Sequence, residues 1–281
     1  MSLLLPDELR VVFSPDQLAL VRIAREFTRR GLVRRVLARD AVPCDAVASG
    51  EAPWDSALRA LASVLPGVAK RKDFATLILS NHFMRYTLVP WSEALSDDAE
   101  QMAYAQHAFR QAYGAAAASW ELRLSPAPAG MPQLASAVDG RLLQAARQMF
   151  SEAGVALRSV QPYLMAAYNS CRQRLQQRSA WFVLFEPGCL CIALLQQGHW
   201  ASVRSMRIND DWREQLPQIL DREACMGISD TVPETVFVWA PALENALLPD
   251  SDQWQMQYLK PALRRGLAPE QEGRFAMALS G

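Results

Sequence analysis

Leu134–Asn169, LASAVDGRLLQAARQMFSEAGVALRSVQPYLMAAYN, is the stretch on which the fold turns. It begins as a short apolar strand. A helix opens at Asp139, whose carboxylate can accept from the free backbone N–H groups of the first turn. Leu142, Leu143, Ala146, Met149 and Phe150 recur at helical spacing and give that helix one apolar face. Gly154 suits the left-handed position that ends many helices. The pattern then predicts a second strand over Val155–Val160 and a second helix after Pro162. The result is a strand–helix–strand unit joined to a helix, and it contains no obvious catalytic group.

On its N-terminal side, Leu9–Phe13, Leu18–Ala24 and Val33–Ala38 read as successive strands, the first two joined by the turn Ser14-Pro15-Asp16. Ala41–Pro53 reads as a loop. Trp54, Leu58, Leu61, Ala62 and Leu65 form an amphipathic helix stopped by Pro66-Gly67. Phe74–Leu79 is short and apolar enough for a buried strand, with Phe83–Val89 expected beside it, ending at Pro90-Trp91. Ser96-Asp97-Asp98 should cap a helix over Ala99–Tyr113 that Gly114 terminates. Trp120–Leu124 alternates as a half-exposed strand, and Ser125–Pro132 is a surface loop.

On the C-terminal side, a helix over Tyr163–Leu175 leads to a polar hinge, Gln176–Ser179. Trp181–Phe185, Leu190–Gln196 and Trp200–Arg207 are then three strands, with turns at Glu186-Pro187-Gly188 and Gln197-Gly198-His199. A helix over Asp211–Met226 and a strand over Thr235–Trp239 follow. This order of three meandering strands, a helix and another strand also describes residues 9–79, so the chain reads as a duplicated α/β architecture. Ligands of such a fold are expected between its halves. For Leu259-Lys260-Pro261 and the tail Glu270–Gly281, three readings stay open: return to the first half, docking on it, or flexibility. The tail has few large apolar residues, so its last several residues are expected to be mobile.

Composition narrows the function. Lys+Arg and Asp+Glu are both 29 of 281 residues, and this neutrality argues against tight unspecific nucleic-acid binding, which depends on neutralised phosphates. Arg22, Arg25, Arg29, Arg30, Arg34, Arg35 and Arg39 form a local basic run. On alternating strands such a run ordinarily makes a solvated face; an anionic partner or a membrane surface is the alternative. Residues Met1–Arg10 lack the pattern of a secretory signal, and no window approaches a bilayer-spanning apolar length. Cys44, Cys171, Cys189, Cys191 and Cys225 are scattered and odd in number, which predicts buried free thiols in a reduced, soluble, cytoplasmic protein. His82, His107 and His199 have no metal-ligand spacing, and no P-loop, Rossmann fingerprint or G-x-S-x-G elbow occurs. The pairs Asp97-Asp98 and Asp210-Asp211 head helices, where carboxylates favour the positive end of the dipole. Trp120, Trp200 and Trp239 read as core; Trp91, Trp212 and Trp254 lie at element edges, where aromatics can anchor an interface.

Three features together resemble the actin-like cytoplasmic proteins of bacterial surface machines, namely PilM of type IV pili, MshI of related pili and the cytoplasmic part of GspL in type II secretion. They are Phe83–Glu100 (FMRYTLVPWSEALSDDAE), Leu134–Asn169 with its Ala153-Gly154-Val155 helix end, and the paired strand meanders. The resemblance runs from about Leu9 to Pro241. It implies a two-lobed actin-like (ribonuclease H-like, duplicated) α/β fold with a small α/β subdomain inserted in the first lobe, as in FtsA. The first lobe would be 1–175, with the insertion at about 96–162, and the second lobe 176–281 with the tail. PilM-like members bind ATP between the lobes and receive the N-terminal tail of a single-span partner in a groove of the first lobe. GspL-like members keep the fold without the nucleotide and continue into a transmembrane helix, which is not found in this sequence.

The actin-like phosphate site needs an Asp-x-Gly turn in each lobe, the glycine admitting backbone N–H groups to the phosphates and the acid positioning hydrated Mg²⁺. Here the matching turns are Ser14-Pro15-Asp16-Gln17, without glycine, and Glu186-Pro187-Gly188, which keeps an acid and a glycine but adds a proline. Ala240-Pro241-Ala242-Leu243, where the nucleoside-binding glycines belong, has none. The expectation is a degenerate nucleotide site; if ATP and Mg²⁺ do bind, Asp16, Glu186 and Gly188 are the residues left to hold them. What the resemblance implies is a non-catalytic cytoplasmic scaffold, peripheral to the inner membrane. It would bind the tail of a PilN-like or GspM-like membrane protein and also a motor ATPase, and would meet the membrane only through its partner. The strands Leu18–Ala38 are the expected dock for an acidic tail. The alternatives are a PilM-like protein in which ATP gates partner binding, and a small-molecule kinase of the same fold, for which no catalytic aspartate can be placed.

Overall fold

The computed structural model describes residues 3–29, 31–70, 72–95, 97–226, 232–243, 246–260 and 273–280. The apolar runs of the N-terminal part form long strands, β1 (Leu3–Phe13), β2 (Gln17–Thr28) and β3 (Gly31–Pro43), so β3 takes in the first part of the expected loop. Then come α1 (Asp55–Val68), β4 (Phe74–Leu79), β5 (Met84–Val89) and α2 (Asp98–Tyr113), with a 3₁₀ turn over Gly114–Ser119. The middle of the chain gives β6 (Trp120–Leu124), β7 (Gln133–Asp139), α3 (Gly140–Glu152), β8 (Ala156–Pro162), α4 (Tyr163–Ser170) and α5 (Arg172–Leu175). The last third gives β9 (Ala180–Glu186), β10 (Cys189–Gln196), β11 (His199–Arg207), α6 (Trp212–Met226), β12 (Thr235–Trp239), β13 (Gln255–Tyr258) and α7 (Ala276–Leu279).

These elements make two compact units. The first takes Met1–Met84, Asp139–Ser170 and Pro261–Gly281; the second takes Arg85–Val138 and Cys171–Lys260. Each holds a five-stranded sheet, in the order β3-β2-β1-β4-β8 in the first unit and β11-β10-β9-β12-β13 in the second. In both, the first three strands pair antiparallel and the remaining pairs are parallel. The repeated element order of the sequence is thus a repeated sheet topology. The inner strands read as unbroken apolar runs because helices cover both faces of such sheets: all six residues of β4 are buried. In the second unit, Trp181, Val183, Ile192, Trp212, Leu216 and Val238 belong to one core, in which Phe185 stacks on Trp212 at 4.5 Å. Trp254 joins that core, its indole donating to Asp221 Oδ1 at 2.8 Å. Trp212 and Trp254, placed at element edges by the sequence, are therefore core residues, whereas Trp91 is half exposed.

Local signals hold at the caps. Asp97 accepts from Glu100 N at 2.8 Å to start α2; Ser96 lies outside the described residues. Asp139 accepts from Arg141 N at 2.8 Å to start α3, and Gly114 and Gly154 take positive φ at the ends of the two helices. Gly198 has no room for a side chain, since a Cβ there would stand 2.5 Å from Gln177 N. Pro66 does not stop α1: it lies in the last turn, and Ala69 N still bonds Leu65 O at 2.9 Å. The helix expected over Tyr163–Leu175 breaks at Cys171 into α4 and α5.

Three longer-range expectations change. β5 does not join β4; it lies in a separate three-stranded sheet, β5-β7-β6, packed on Phe109 and Ala105 of α2. The strand–helix–strand stretch is shared between sheets, because Asp139 both ends β7 and caps α3. β7 stays with β5 and β6, while β8 runs parallel to β4. The tail is not mobile over 273–280: Phe275, Met277, Ala278 and Leu279 are buried, and α7 packs on β1 and β2. Buried Arg10 of β1 holds it, donating Nε to Ala278 O and Nη2 to Ser280 O at 2.8 Å. Residues 261, 270–272 and 281 of the stretches left open by the sequence lie outside the described residues.

Candidate functional site

The turn joining β1 to β2 is closed by Ser14 N donating to Gln17 O at 3.1 Å, and Asp16 O accepts from Cys44 N at 2.8 Å. Pro15 has no N–H and Ser14 N is spent on the turn, so this loop presents few amides. The Asp16 side chain is exposed. In the second unit, Glu186 pairs with Cys189 across a two-residue Pro187-Gly188 connection, with Gly188 at φ 75°. Proline first and a positive-φ glycine second is the pattern of a type II turn. Glu186 is buried, unlike Asp16. Beside it, burial foremost and the Glu186 carboxylate next push the Cys189 thiol up to about 12, against the pull of Arg85. The chain after β12 goes through buried Ala240 into a 3₁₀ turn over Pro241–Leu243, closed by Leu243 N on Ala240 O at 2.8 Å. Of the residues left to hold a nucleotide, Asp16 belongs to the first unit, and Glu186 and Gly188 to the second.

Each unit also has an open groove. In the second, Val89, Pro90, Trp91, Leu95, Pro128 and Met131 line a groove of about 380 Å³ beside the three-stranded sheet. Its walls are tied by side chains: Gln133 Nε2 donates to Gln101 Oε1 at 2.9 Å, and Gln101 Nε2 to Leu95 O at 3.2 Å. Trp91 is 50% exposed, and β5, which leads into the groove, is an edge strand. An exposed aromatic next to an open edge suits an extended peptide better than a small polar substrate. In the first unit, α1 and α3 flank a groove of about 340 Å³ at Leu65, Pro66, Met149 and Ala153.

Among the described residues, no cluster of three or more His, Cys, Asp or Glu could hold a metal ion. The five cysteines are free thiols, three of them buried; Cys44 is partly exposed and Cys225 exposed, against the expectation that all are buried. Among the described residues, no helix is long and apolar enough to cross a membrane.

No family model matches the sequence, and no curated protein matches it. Solved structures do. The PilM-PilN type IV pilus biogenesis complex aligns with a TM-score of 0.67 at 15% identity, over 97% of this chain and 96% of that one. The cytoplasmic domain of EpsL, an inner membrane component of the type II secretion system of Vibrio cholerae, aligns with a TM-score of 0.60 at 9% identity, over 96% and 92%. A Bacteroides thetaiotaomicron protein with an actin-like ATPase fold and unknown function aligns with a TM-score of 0.56 at 10% identity, over 97% and 95%. At such identities the likeness establishes the fold: the chain has the actin-like α/β fold, as its sequence motifs imply.

Proposed function

We propose that this chain is an actin-like scaffold of a pilus or type II secretion assembly platform at the inner membrane. On this reading it holds the cytoplasmic tail of a single-span PilN-like or GspM-like protein, contacts a motor ATPase, and performs no reaction of its own. The observation that carries the reading is the chemistry of the turns. Pro15 and Pro187 remove amides where phosphates need them, the first turn has no glycine, and the Glu186 carboxylate is buried. The same substitutions weigh against a small-molecule kinase. The groove beside Trp91 is the recognition surface: an apolar side chain of the tail fills it while the main chain runs along the β5 edge. Alignment with the PilM-PilN complex and the EpsL domain supports the platform assignment through the fold.

Calorimetric titration of the full chain with ATP and Mg²⁺, alongside a thermal shift, tests the nucleotide half. Neither heat nor a rise in Tm is expected, even at millimolar ATP. Micromolar binding would instead install the nucleotide-gated alternative, with Asp16, Glu186 and Gly188 as its ligands. In-cell crosslinking from position 91 tests the partner half. The expected product is a single-span membrane protein crosslinked through its cytoplasmic tail; products drawn only from soluble enzymes would refute the scaffold reading.

A further inference from the structure

We infer that the outer end of the β1–β3 ribbon contacts an anionic lipid surface directly, with Arg25, Arg34 and Arg158 taking lipid phosphate while Phe27 enters the headgroup layer. The inference goes beyond the scaffold reading and is independent of it. It adds direct attachment where the family resemblance brings the membrane only through a partner, and it selects the membrane surface from the readings open for the basic run.

The register assembles the site. Arg25 lies directly opposite Arg34, and the next pair outward on the same face is Phe27 opposite Leu32, with Glu26 and Val33 between them on the other face. Across β1, the Arg25 guanidinium carbon lies 5.0 Å from the centroid of the Phe74 ring of β4, and that of Arg158, on β8 beside β4, lies 4.5 Å from it. Like charges directly opposite each other destabilise a sheet unless a counter-charge is present. The carboxylate on that face, Glu8, opposite Ile23 and Phe74, pairs with Arg10 instead; among the described residues these three arginines form no ion pair, and the buried Nε atoms of Arg25 and Arg34 have no hydrogen-bond partner. Arg22, on the other face of β2, shows the contrast. It reaches Asp7 at 2.7 Å, Asp73 at 3.1 Å and Val68 O at 2.8 Å. Among the described residues, the fold gives that arginine its partners and gives the other three no carboxylate.

The apolar residues say which anion. Phe27 is 56% exposed on the arginine face, Val33 is 43% exposed on the opposite face, and Leu37 is 42% exposed at the bulge in β3; Arg29 and Arg35 are exposed among them. A soluble phosphate would leave Phe27 in water. An acidic peptide would engage one face or one edge, whereas the apolar and cationic side chains here lie on both faces of the ribbon's end. That distribution fits a tip dipping into a headgroup layer, where aromatics bury their rings and arginines meet phosphates. Edge protection, the usual reason for arginines on an outer strand, accounts for Arg35 and Arg39. It does not account for Arg25, on the inner strand β2, or for Phe27. Because the whole chain is neutral, the attraction has to come from this local patch.

Co-sedimentation of the full chain with phosphatidylcholine vesicles, with and without phosphatidylglycerol, tests the inference. Binding is expected only with phosphatidylglycerol, and it should weaken with added salt. Removing three arginines as R25Q/R34Q/R158Q should weaken it on the order of a hundredfold, at about fivefold per arginine near the surface. The charge-matched control R172Q/R174Q/R178Q, at exposed positions of the second unit, should bind as the parent does. F27S should weaken binding without changing Tm, and it decides the matter if the arginine triple fails to fold. The inference is overturned if vesicles never bind, if the control triple loses as much, or if F27S is without effect. It is equally overturned if glycerol phosphate competes at micromolar strength, which would make this a soluble-phosphate site, or if polyglutamate binds and vesicles do not, which would make it a peptide site.

Discussion

Replacing Arg10 by methionine should release the C-terminal segment and cost the first unit about 4 kcal/mol. The side chain is 1% exposed; it bonds Ala278 O and Ser280 O and lies 3.3 Å from Glu8, itself buried. Hydrogen bonds from a charged donor contribute about 1.5–3 kcal/mol each, and removing one partner of a buried ion pair costs about 3–5 kcal/mol. The two figures describe the same deletion and overlap, so the loss falls in the second range and not at their sum. At about 2–4 °C per kcal/mol for a unit of this size, Tm should fall by roughly 10 °C. Urea unfolding and hydrogen exchange read the effect, and the amides of Met277–Ser280 should lose protection before those of β4. The double variant E8Q/R10M should recover much of the loss, because a neutral pair no longer leaves a buried charge uncompensated. If R10M costs less than about 1 kcal/mol, or the tail amides keep their protection, the clamp is not what holds the segment and the reasoning fails.

Asp139→Ala should cost about 1 kcal/mol, the usual worth of an N-cap, read by chemical denaturation. Its pH dependence has a definite sign. The Arg141 hydrogen bond, ahead of the opposing desolvation, holds the Asp139 carboxyl below the ordinary carboxylate range. The stability it contributes is therefore complete above the unfolded value and lost as pH falls through the lowered folded value, so the variant should show a flatter acid limb. Maleimide labelling at mildly alkaline pH should modify Cys225 quickly and spare Cys189 and Cys191. Both of the latter are buried, with burial foremost pushing each thiol up to about 12. Rapid labelling of either in the folded chain would contradict the packing of β10.

What could be read from the residues depended on the range of the interaction. The caps at Asp97 and Asp139, the glycine stops at Gly114 and Gly154 and the apolar run of β4 are local: each is fixed by hydrogen bonds within a few residues or by a period along one element. Partner choice between strands is not local. β5 and β4 are neighbours in sequence and both apolar, yet β5 pairs with β7, because Val89, Ala135, Ala137 and Phe109 bury one another in a separate small core. Trp212 and Trp254 stand at element ends in sequence but close the core of the second sheet, and no periodicity signals that. In the candidate site, the prolines and missing glycine of the turns were legible, whereas the burial of Glu186 was not. Arg158 could not have been grouped with Arg25 and Arg34, since strand order alone brings β8 beside β4 and both arginines to the Phe74 ring.

By itself, then, the sequence determined most of the elements, their repeated order and the prolines of the two turns, because these follow from backbone chemistry and short-range periodicity; the actin-like plan came from its resemblance to a family. The tertiary structure alone decided which sheet each strand joins, that Asp139 is where the chain passes between sheets, that Arg10 gathers the C-terminal segment, and that Arg25, Arg34 and Arg158 come together with no ion pair among the described residues. Those outcomes depend on burial and register between residues far apart in the chain, where a shift of one position would send every side chain of a strand to the opposite face.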